Sequence, residues 1–512
     1  MKKVNKTEKF VYLIIVSLII VICLPLFYKD QGKQLINRIF TFKEKNINLL
    51  SFNDLQLLSK TGKPTGKLYK KLQEQLTTPY TVNKSNTFSI NSFDKPFLRL
   101  AHWNIERGLN INAIKQIFSN HSSFYYNYRN NLLEKSQESF KKELRDIARS
   151  DIISLNEVDA GMPRTGYKNI ASELADILGY NYAYATEFIE LGPIYYQSPI
   201  EPDKYLGLHG NAILSRYPII SARIIRLPQY YDWYNAEICR KSPLEMARRY
   251  GAKSVFNQNI LSEVRHGSRC ALVADIQLPN KEIITVVSTH LEDRCYPSKR
   301  FNQVQYLFEN LKYLKRPLVI AGDFNTSTTD SAPTSFKKEI AKRIKDPHFI
   351  ARQLAFAAIP GAPIAGSFAA VGLSKLFQYK DPSLPSIPVF FPNQERKLFS
   401  FIKEFKFADG EGFDMKGDSD KSSNGKSGLL ANSNERQLKG FESTFKFQEP
   451  RVIAYYKLDW FFVKPRKNRF EPFNGQTLQL VNHSYPGRIS DHEPIIVDLT
   501  LSRTFGRIAL KD

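Results

Sequence analysis

Residues 317–325 read P-L-V-I-A-G-D-F-N, an apolar run that ends at Asp323 and Asn325. The run of Leu, Val and Ile is typical of a strand covered on both faces, and Gly322 permits close approach of the backbone to a bound group. Asp323 and Asn325 alternate along an extended chain, so both side chains are predicted to point into one pocket. Such a string alone is more often a strand-ending turn than a site.

Other segments repeat this arrangement, in which an apolar run stops at polar residues suited to metal and phosphate chemistry. They supply Asn104 and Glu106 (W-N-I-E), Glu157 (L-N-E), His290 (S-T-H), and Asp459, Asp491 and His492 (K-L-D-W and S-D-H). Each segment is unremarkable by itself, and their number and order carry the interpretation.

In this order, W-N-I-E, L-N-E-V-D, S-T-H-L-E, A-G-D-F-N, K-L-D-W and S-D-H-E-P resemble the endonuclease/exonuclease/phosphatase superfamily. That fold is shared by DNase I, abasic-site endonucleases, inositol polyphosphate phosphatases and neutral sphingomyelinases. The resemblance covers about residues 96–501 and implies an α/β fold, a four-layered α/β sandwich of the DNase I type, with one large insertion at about 331–449. It implies phosphoester hydrolysis and leaves the substrate open, including monoester against diester.

Phosphodiesters resist hydrolysis because their negative oxygens repel a nucleophile, so an enzyme needs a cation beside the phosphate and a base beside the water. Glu157 is the best candidate metal ligand, and Glu106 is the second. By the resemblance, Asp491 also reaches the metal. Hard carboxylate oxygens favour Mg²⁺ or Mn²⁺ over zinc.

His492 is the candidate general base, because an imidazole with a pKa near ~6.5 can be tuned by an acid partner and still act near neutral pH. The resemblance pairs it with Asp459 as the orienting acid. It also implies that Asp323 and Asn325 position the water or the leaving oxygen. His290 is implied either to donate to the phosphate or to protonate the leaving group.

Substrate contacts are assigned to three residues. Asn104 precedes Glu106 in the first motif, and residues 207–218, G-L-H-G-N-A-I-L-S-R-Y-P, contain His209 and Asn211. Family members carry a similar G-N-A-I-L-S-R-x-P, in which the Asn lies close to the phosphate. The abasic-site branch usually has Asp where this chain has Glu106, so that branch is disfavoured. The remaining motif-free histidines are predicted to be structural: His102, His266 and His483.

Residues 10–28 form an uncharged apolar run of 19 residues, preceded by Lys2, Lys3, Lys6 and Lys9. A helix of that length nearly spans a bilayer, and the basic flank predicts an extracytoplasmic catalytic region. A cleaved signal peptide is the rival interpretation, but no small-x-small site follows the run. Residues 29–95 are predicted to be a stalk with local helix around 49–58, and residues 503–512 to be a C-terminal tail.

Within the catalytic region, apolar periodicity predicts helices at 133–149, 169–178 and 297–314. The first has a predicted stripe of Leu133, Phe140, Leu144 and Ile147, and Gly179 is predicted to cap the second. In the insertion, residues 353–374 are 22 consecutive uncharged residues interrupted by Pro360 and Pro363. They are predicted to form a helical hairpin, either a lid packed on the domain or a membrane-touching element. Residues 410–428 are predicted to be a mobile loop.

The resemblance, together with the net charge and the predicted anchor, leaves three function classes. Lys and Arg outnumber Asp and Glu by 73 to 50, a formal net charge of +23 that favours polyanionic partners such as nucleic acid or an anionic membrane. The classes are a nuclease-type phosphodiesterase, a hydrolase of phospholipid or inositol phosphate headgroups, and a catalytically silent binding protein. No protein partner is evident. Outside the anchor only Cys239, Cys270 and Cys295 remain, and without C-x-x-C the sequence does not support structural zinc.

Overall fold

The computed structural model describes residues 49–84, 87, 92–195, 199–239, 263–326, 396–414, 441–448, 452–466 and 469–501. The strands in these ranges are β1 (Tyr80–Val82), β2 (Phe97–Arg107), β3 (Ile152–Ala160), β4 (Asn181–Glu190), β5 (Leu208–Ser215), β6 (Ile219–Arg226), β7 (Arg265–Gly267), β8 (Cys270–Gln277), β9 (Ile283–His290), β10 (Leu318–Asp323), β11 (Phe445–Gln448), β12 (Val452–Tyr456), β13 (Asp459–Lys464), β14 (Pro472–Thr477) and β15 (Ile495–Thr500). The α-helices are α1 (Phe52–Leu58), α2 (Gly66–Thr77), α3 (Ile111–Ser119), α4 (His121–Tyr128), α5 (Gln137–Ala148), α6 (Ile170–Leu178), α7 (Gly192–Tyr195), α8 (Asn235–Cys239), α9 (Pro297–Leu311), α10 (Arg396–Glu404) and α11 (Gln479–His483).

Two main sheets organise these elements. The first has the order β1-β4-β5-β3-β2-β15-β14, with β7 also paired to β4, and the second has the order β13-β10-β9-β8-β6. In the second sheet, β10 runs parallel to β9 and antiparallel to β13. The mixed α/β class and the presence of two sheets are therefore confirmed.

Side-chain alternation along β10 separates two of the hydrophobic cores. Val319 and Ala321 belong to the core between the two sheets, whereas Leu318 and Ile320 belong to the core under α9 and α10. A further core lies between the first sheet and the helices on its outer face. Helices, sheet, sheet and helices thus form successive layers.

Gly322 is required by the packing of β10 against β9. A Cβ atom at this position would lie 1.9 Å from the carbonyl oxygen of Thr289. Gly322 therefore has a packing role against the neighbouring strand, and its close approach to a bound group stays a prediction.

The predicted helices are confirmed, with corrected ends. Helix α6 begins after Asn169, whose side chain accepts from the Ser172 backbone, and ends at Gly179 with a φ of +66°. Helix α9 ends at Leu311, three residues before the predicted end at residue 314. Helix α5 begins only at Gln137 and follows a 3₁₀ turn. Leu133 is 68% exposed and lies outside the apolar stripe, because the chain is not yet helical there.

The stalk predicted for residues 29–95 is wrong for residues 49–84. Leu55, Leu58, Leu72 and Leu76, on α1 and α2, are buried in the core on the outer face of the first sheet. Strand β1 pairs with β4 and extends this sheet. The local helix expected near 49–58 is present as α1, which begins with a capping box formed by Ser51 and Asp54. The described part of this segment belongs to the folded domain.

Part of the predicted insertion also belongs to the domain. Helix α10 packs beside α9 on the second sheet, and Phe301, Phe308, Phe401 and Phe405 form edge-to-face and tilted ring pairs there. Phe413, at the start of the predicted mobile loop, is buried in the same core. These rings stabilise the outer helical layer of the second sheet.

Several predictions fall outside the described residues: the anchor at 10–28, the hairpin at 353–374, most of the loop at 410–428 and the tail at 503–512. Across the ranges that the structure describes, we find no helix with both the length and the hydropathy needed to cross a bilayer. Cys270 and Cys295 are both buried.

A buried ion network joins β2, β15 and α5. Arg99 binds both carboxylate oxygens of Asp498, at 2.7 and 2.8 Å, and its Nη1 lies 2.7 Å from Asp146 Oδ1. Burial would raise the pKa of Asp146, but the charges of Arg99 and Lys142 lower it below its ordinary value. Bidentate geometry and burial make this network a strong link between the sheet and its outer helices.

We expect Arg99→Met to lower the free energy of unfolding by about 3–5 kcal/mol, because it leaves buried carboxylates without their cation. Urea denaturation near neutral pH measures the loss. Because the folded pKa of Asp146 is depressed, its stabilising contribution is present above the unfolded pKa of ~3.9 and is lost as the pH falls through the folded pKa. The variant should therefore lose less stability on acidification than the wild type. Arg145→Met is the control, because Arg145 is an exposed arginine on α5, the helix that carries Asp146. Equal losses in both variants would contradict this account.

Candidate active site

Polar side chains line one end of the space between the two sheets. They lie on the same strand faces as the apolar side chains of the core. On β2, His102 and Asn104 follow Leu98 and Leu100, which lie in the core between the sheets. On the second sheet, His290 and Asp459 are the direct register partners of Asp323 on either side. The same alternation that buries the apolar side chains therefore brings these polar side chains into one pocket.

Two β-bulges set the directions of Glu106 and Glu157. The pairing of β2 with β3 shifts between Asn104 and Arg107, and the pairing of β3 with β5 shifts between Leu155 and Val158. Both glutamates adopt left-handed backbone conformations, with φ of +47° and +52°. Extra residues of this kind re-aim side chains at functional sites, and here they bring two carboxylates to the pocket.

His492 and Asp459 form a hydrogen-bonded pair. His492 Nδ1 lies 2.7 Å from Asp459 Oδ2, and His492 Nε2 lies 3.6 Å from Asp323 Oδ2. Burial alone would lower the pKa of His492, but the charges of Asp459, Asp323 and Asp491 raise it well above its ordinary value. Burial opposes ionisation of Asp459 as well, yet the two histidines beside it, His492 and His102, hold its pKa well below the ordinary range. The pair predicted from the sequence is thus assembled.

His102 completes this arrangement, although it was predicted to be structural only. Its Nε2 lies 3.1 Å from Asp459 Oδ1, and its Nδ1 lies 3.1 Å from Ser154 Oγ. Both carboxylate oxygens of Asp459 therefore have an imidazole partner. His102 orients Asp459, which in turn orients His492.

The predicted metal ligands form a second group in the pocket. Asp491 N donates to Glu106 Oε2 at 3.1 Å, and Asn104 Nδ2 bridges Glu157 Oε1 and Asp323 Oδ2, each at 3.2 Å. Burial first, and the charge of Asp491 second, raise the pKa of Glu106 to about 8. Burial and the neighbouring carboxylate of Glu157 also raise the pKa of Asp491, despite the opposing charge of His492.

This donor set fits a divalent cation. Buried carboxylates that repel one another are costly unless a cation joins them, and hard oxygen donors are those that Mg²⁺ and Mn²⁺ prefer. Within the described residues, the ligand atoms of Asp323, Asp459 and His492 lie within 4.8 Å of one another and could share an ion, whereas Glu106, Glu157 and Asp491 do not form such a group. We favour the glutamate side, because Asp459 is already saturated by His492 and His102.

Asp323 and Asn325 lie between these two groups. Asp323 N donates to Asn156 Oδ1 at 2.8 Å, and Asn325 N donates to Asp323 Oδ1 at 2.8 Å. Burial, aided by the charge of Asp459, raises the pKa of Asp323 to about 7 against the attraction of His492. Asn325 follows the strand with a φ of +46°, so it reaches the pocket by a turn and not by the strand alternation that the sequence indicated.

His290 lies at the second-sheet side of the pocket, with Nε2 3.4 Å from Asp323 Oδ2 and Nδ1 2.7 Å from Arg269 Nη1. Burial and the charge of Arg269 lower its pKa well below the ordinary value, which keeps the ring neutral.

The substrate-binding role predicted for Asn211 stays a prediction. This side chain is fully buried, its Oδ1 accepts from Asn156 and its Nδ2 donates to Glu187. Both ends of the amide therefore have partners inside the protein, as they do in Asn104. His209 Nδ1 lies 2.9 Å from Asp159 Oδ1, and its substrate contact remains a prediction.

His266 and His483 behave as predicted. His266 stacks on Tyr234 and faces the backbone oxygen of Thr61 at 3.0 Å, and His483 lies 2.7 Å from Glu493. Sequence reasoning missed His102, Asn156 and Arg269. His102 had a usable signal, because it precedes Asn104 by two residues and so shares its face of the strand. Asn156 shares a face with Ser154 in the same way, whereas Arg269 lies in a loop without a periodic pattern.

An imidazole held by a carboxylate beside a cluster of buried acids is an arrangement for hydrolysis with a metal ion. The model of the Endonuclease/Exonuclease/phosphatase family matches residues 101–492. The chain belongs to this family and is a hydrolase of phosphoester bonds. The family is generally dependent on divalent metals.

Solved structures resemble the chain only distantly. An endonuclease/exonuclease/phosphatase from Beutenbergia cavernae is 16% identical, with a TM-score of 0.38 over 80% of this chain and 72% of that chain. The human nocturnin catalytic domain with bound sulfate is 15% identical (TM-score 0.36, 80% and 94%). A mannosyl-6-phosphatase from Bacteroides thetaiotaomicron is 11% identical (TM-score 0.33, 78% and 99%). A search of curated proteins found no match. Family membership therefore rests on the family model.

Proposed function

We propose that this chain is a phosphodiesterase that depends on Mg²⁺ or Mn²⁺ and activates water with His492 and Asp459. The observation that carries the proposal is the 2.7 Å contact between these two side chains in the same pocket as Glu106, Glu157 and Asp491. A base and a set of hard oxygen donors are the two parts that phosphodiester hydrolysis needs.

Glu157, Glu106 and Asp491 are proposed to hold the cation. When bound, the cation supplies positive charge beside the phosphoryl oxygens and offsets the negative potential of these carboxylates. Because a bound cation would offset the carboxylate charges that raise the pKa of His492, we propose that a neutral His492 Nε2 takes the proton of the attacking water. Asp459 keeps Nδ1 as the donor and stabilises the imidazolium that forms. Asp323 and Asn325 position the water or the leaving oxygen, and Asn104 and His209 are proposed to contact the substrate.

Nucleic acid is the substrate class that we favour. The formal net charge of +23 attracts polyanions. In addition, the loop that follows His290 carries Tyr296, which is 71% exposed, and Lys299 Nζ lies 5.0 Å from the Tyr230 ring centroid. An exposed ring and a half-buried ring beside a cation suit the bases and phosphates of a nucleic acid strand.

A phospholipid or inositol phosphate headgroup is the second candidate. The apolar runs at 10–28 and 353–374 favour it, since either can bring the pocket to a bilayer. A catalytically silent binding role is the least favoured, because every motif residue of the site is present.

A substrate panel tests the proposal. The purified chain with Mg²⁺ is incubated with plasmid DNA, RNA, sphingomyelin and phosphoinositides, each with and without EDTA. We expect hydrolysis of a nucleic acid that EDTA abolishes and Mg²⁺ or Mn²⁺ restores. Turnover of lipid substrates alone would select the second candidate. If zinc restored more activity than Mg²⁺ or Mn²⁺ after EDTA treatment, the assigned donor set would be contradicted.

We also propose that residues 10–28 anchor the chain in a membrane with the catalytic region on the extracytoplasmic side. The lysines before the run support this orientation. A reporter that works only outside the cytoplasm, fused after Asp512, should be active. A signal from a cytoplasmic reporter at the same position would reverse the orientation.

A further inference from the structure

Arg269 occupies an unusual position beside His290. It immediately precedes β8, is only 4% exposed, and its Nη1 lies 2.7 Å from His290 Nδ1. Two acids hold the guanidinium in place, since Nη1 lies 3.1 Å from Glu187 Oε2 and Nη2 lies 3.3 Å from Asp293 Oδ1. The guanidinium is thus fixed in orientation against the imidazole.

This contact determines which ring nitrogen carries the proton. A guanidinium has only donors and keeps its charge in proteins, so His290 Nδ1 must be the acceptor. In a neutral imidazole the other nitrogen then bears the hydrogen. The rival partner for an Nδ1–H is Glu187, whose Oε2 lies 3.8 Å away, beyond hydrogen-bond distance.

The protonated nitrogen faces the pocket. His290 Nε2 lies 3.4 Å from Asp323 Oδ2 and 3.0 Å from Asn325 Nδ2. Asn325 Nδ2 is itself a donor, so it competes with Arg269 for a ring nitrogen that accepts. The Arg269 contact is shorter and charge-assisted, whereas Asn325 Nδ2 has the carbonyl oxygen of Leu291 as an alternative acceptor at 3.0 Å. Because Nδ1 already accepts from Arg269, Nε2 has a hydrogen to offer toward Asp323 or toward an oxygen placed beside it.

We propose that Arg269 is a positioning residue that locks His290 in the Nε2–H tautomer, so that His290 donates a hydrogen bond and does not transfer a proton. The leaving oxygen then obtains its proton from another group or from water. Of the two roles that the sequence left open for His290, this arrangement selects contact with the phosphoryl oxygen. The kinetic part of the test below rests on the proposed function, whereas the tautomer itself does not.

The tautomer can be measured without substrate. Long-range ¹H–¹⁵N correlation spectra of the full chain with labelled histidine distinguish the two ring nitrogens, and a His290→Gln sample assigns the signal among the 8 histidines. We expect Nε2–H in the wild type and in Arg269→Lys, which keeps a cationic donor. Arg269→Gln offers an acceptor to Nδ1–H, so we expect a shift toward the other tautomer.

Kinetics then separate donation from acid catalysis. Arg269→Gln should lower kcat by about 10- to 100-fold, the usual effect of removing a group that orients a histidine, and Arg269→Lys should recover part of the loss. His290→Gln keeps an N–H near the position of Nε2 and should retain more activity than His290→Ala. If His290 only donates a hydrogen bond, no proton passes from it to the leaving group. Its variants should then lose the same factor in kcat on p-nitrophenyl phosphodiesters, which have a good leaving group, as on alkyl phosphodiesters, which have a poor one.

Arg226→Gln is the matched control. This buried arginine lies opposite Cys270 and donates to the backbone oxygens of Ser268 and Glu187, but it does not hydrogen-bond to His290 or to the Glu187 carboxylate. It should change thermal stability without altering the His290 spectrum. A wild-type spectrum with Nδ1–H, or an unchanged tautomer in a folded Arg269→Gln variant, would overturn the proposal. A loss confined to alkyl substrates would overturn it too, because that pattern marks an acid. If no substrate is found, the spectra still decide the tautomer.

Discussion

Glu157→Gln should lower turnover by about 10³-fold or more while the protein stays folded. Removing a metal ligand costs several kcal/mol of transition-state stabilisation, and each ~1.4 kcal/mol corresponds to a factor of ten. Burial opposes ionisation of this side chain, but Arg107, His209 and Arg269 lower the pKa of Glu157, so it is charged at neutral pH. Glutamine keeps the size and can still accept from Asn104, and it removes only the charge.

Steady-state kinetics and Mn²⁺ titration followed by electron paramagnetic resonance measure the two consequences, slower turnover and weaker metal binding. Glu143→Gln is the control, because Glu143 accepts from the backbone of Leu480 and Val481 on α11, and burial raises its pKa to about 8. It should keep its turnover. Full activity with unchanged Mn²⁺ affinity in Glu157→Gln would remove this residue from the metal site.

His492→Ala should lower kcat by about 10²- to 10⁴-fold, the range expected when a general base is lost. Asp459→Asn should cost less, because it leaves the base in place and disturbs only its orientation and charge. His102→Gln should lower kcat least, since His102 contacts Asp459 and affects His492 only through it. The order of the three losses is the result that matters.

Turnover of the three variants should be compared at matched folded fractions, judged from thermal unfolding. His266→Gln is the control, because His266 is buried with backbone partners and lies outside the pocket. Near full rates in both His492→Ala and Asp459→Asn would mean that another group activates the water. A larger loss in His102→Gln than in Asp459→Asn would contradict the proposed chain of orientation.

The sequence predicted the elements whose local pattern agrees with the fold. The alternation and apolar runs of β2, β3, β9 and β10 led to Asn104, Glu157, His290 and Asp323, because strand ends deliver side chains to one edge of a sheet. Asn211 shows what a local motif does not contain. Its motif indicated a phosphate contact, but neighbouring side chains use both ends of its amide, and tertiary partners cannot be read from one segment.

The missed features have specific causes. In residues 49–84, the polar composition predicted a stalk. The same segment contains four leucines at helical spacing, and these pack into the core. The conformations of Glu106 and Glu157 were not predictable, because left-handed φ is rare for glutamate and bulge positions depend on strand pairing. Arg269 acts through His290, Glu187 and Asp293, which are distant in sequence.

The left-handed glutamates at positions 106 and 157 also bear on how this chain can evolve. Such conformations cost on the order of 1–3 kcal/mol each in residues other than glycine, so the fold is less stable than the same scaffold with glycine there. In a lineage no longer selected for catalysis, substitutions that remove this strain would therefore be favoured at positions 106 and 157. Among descendants of this chain, glycine at 106 or 157 would mark lineages that have abandoned the reaction, and it would do so even where the overall fold had been kept.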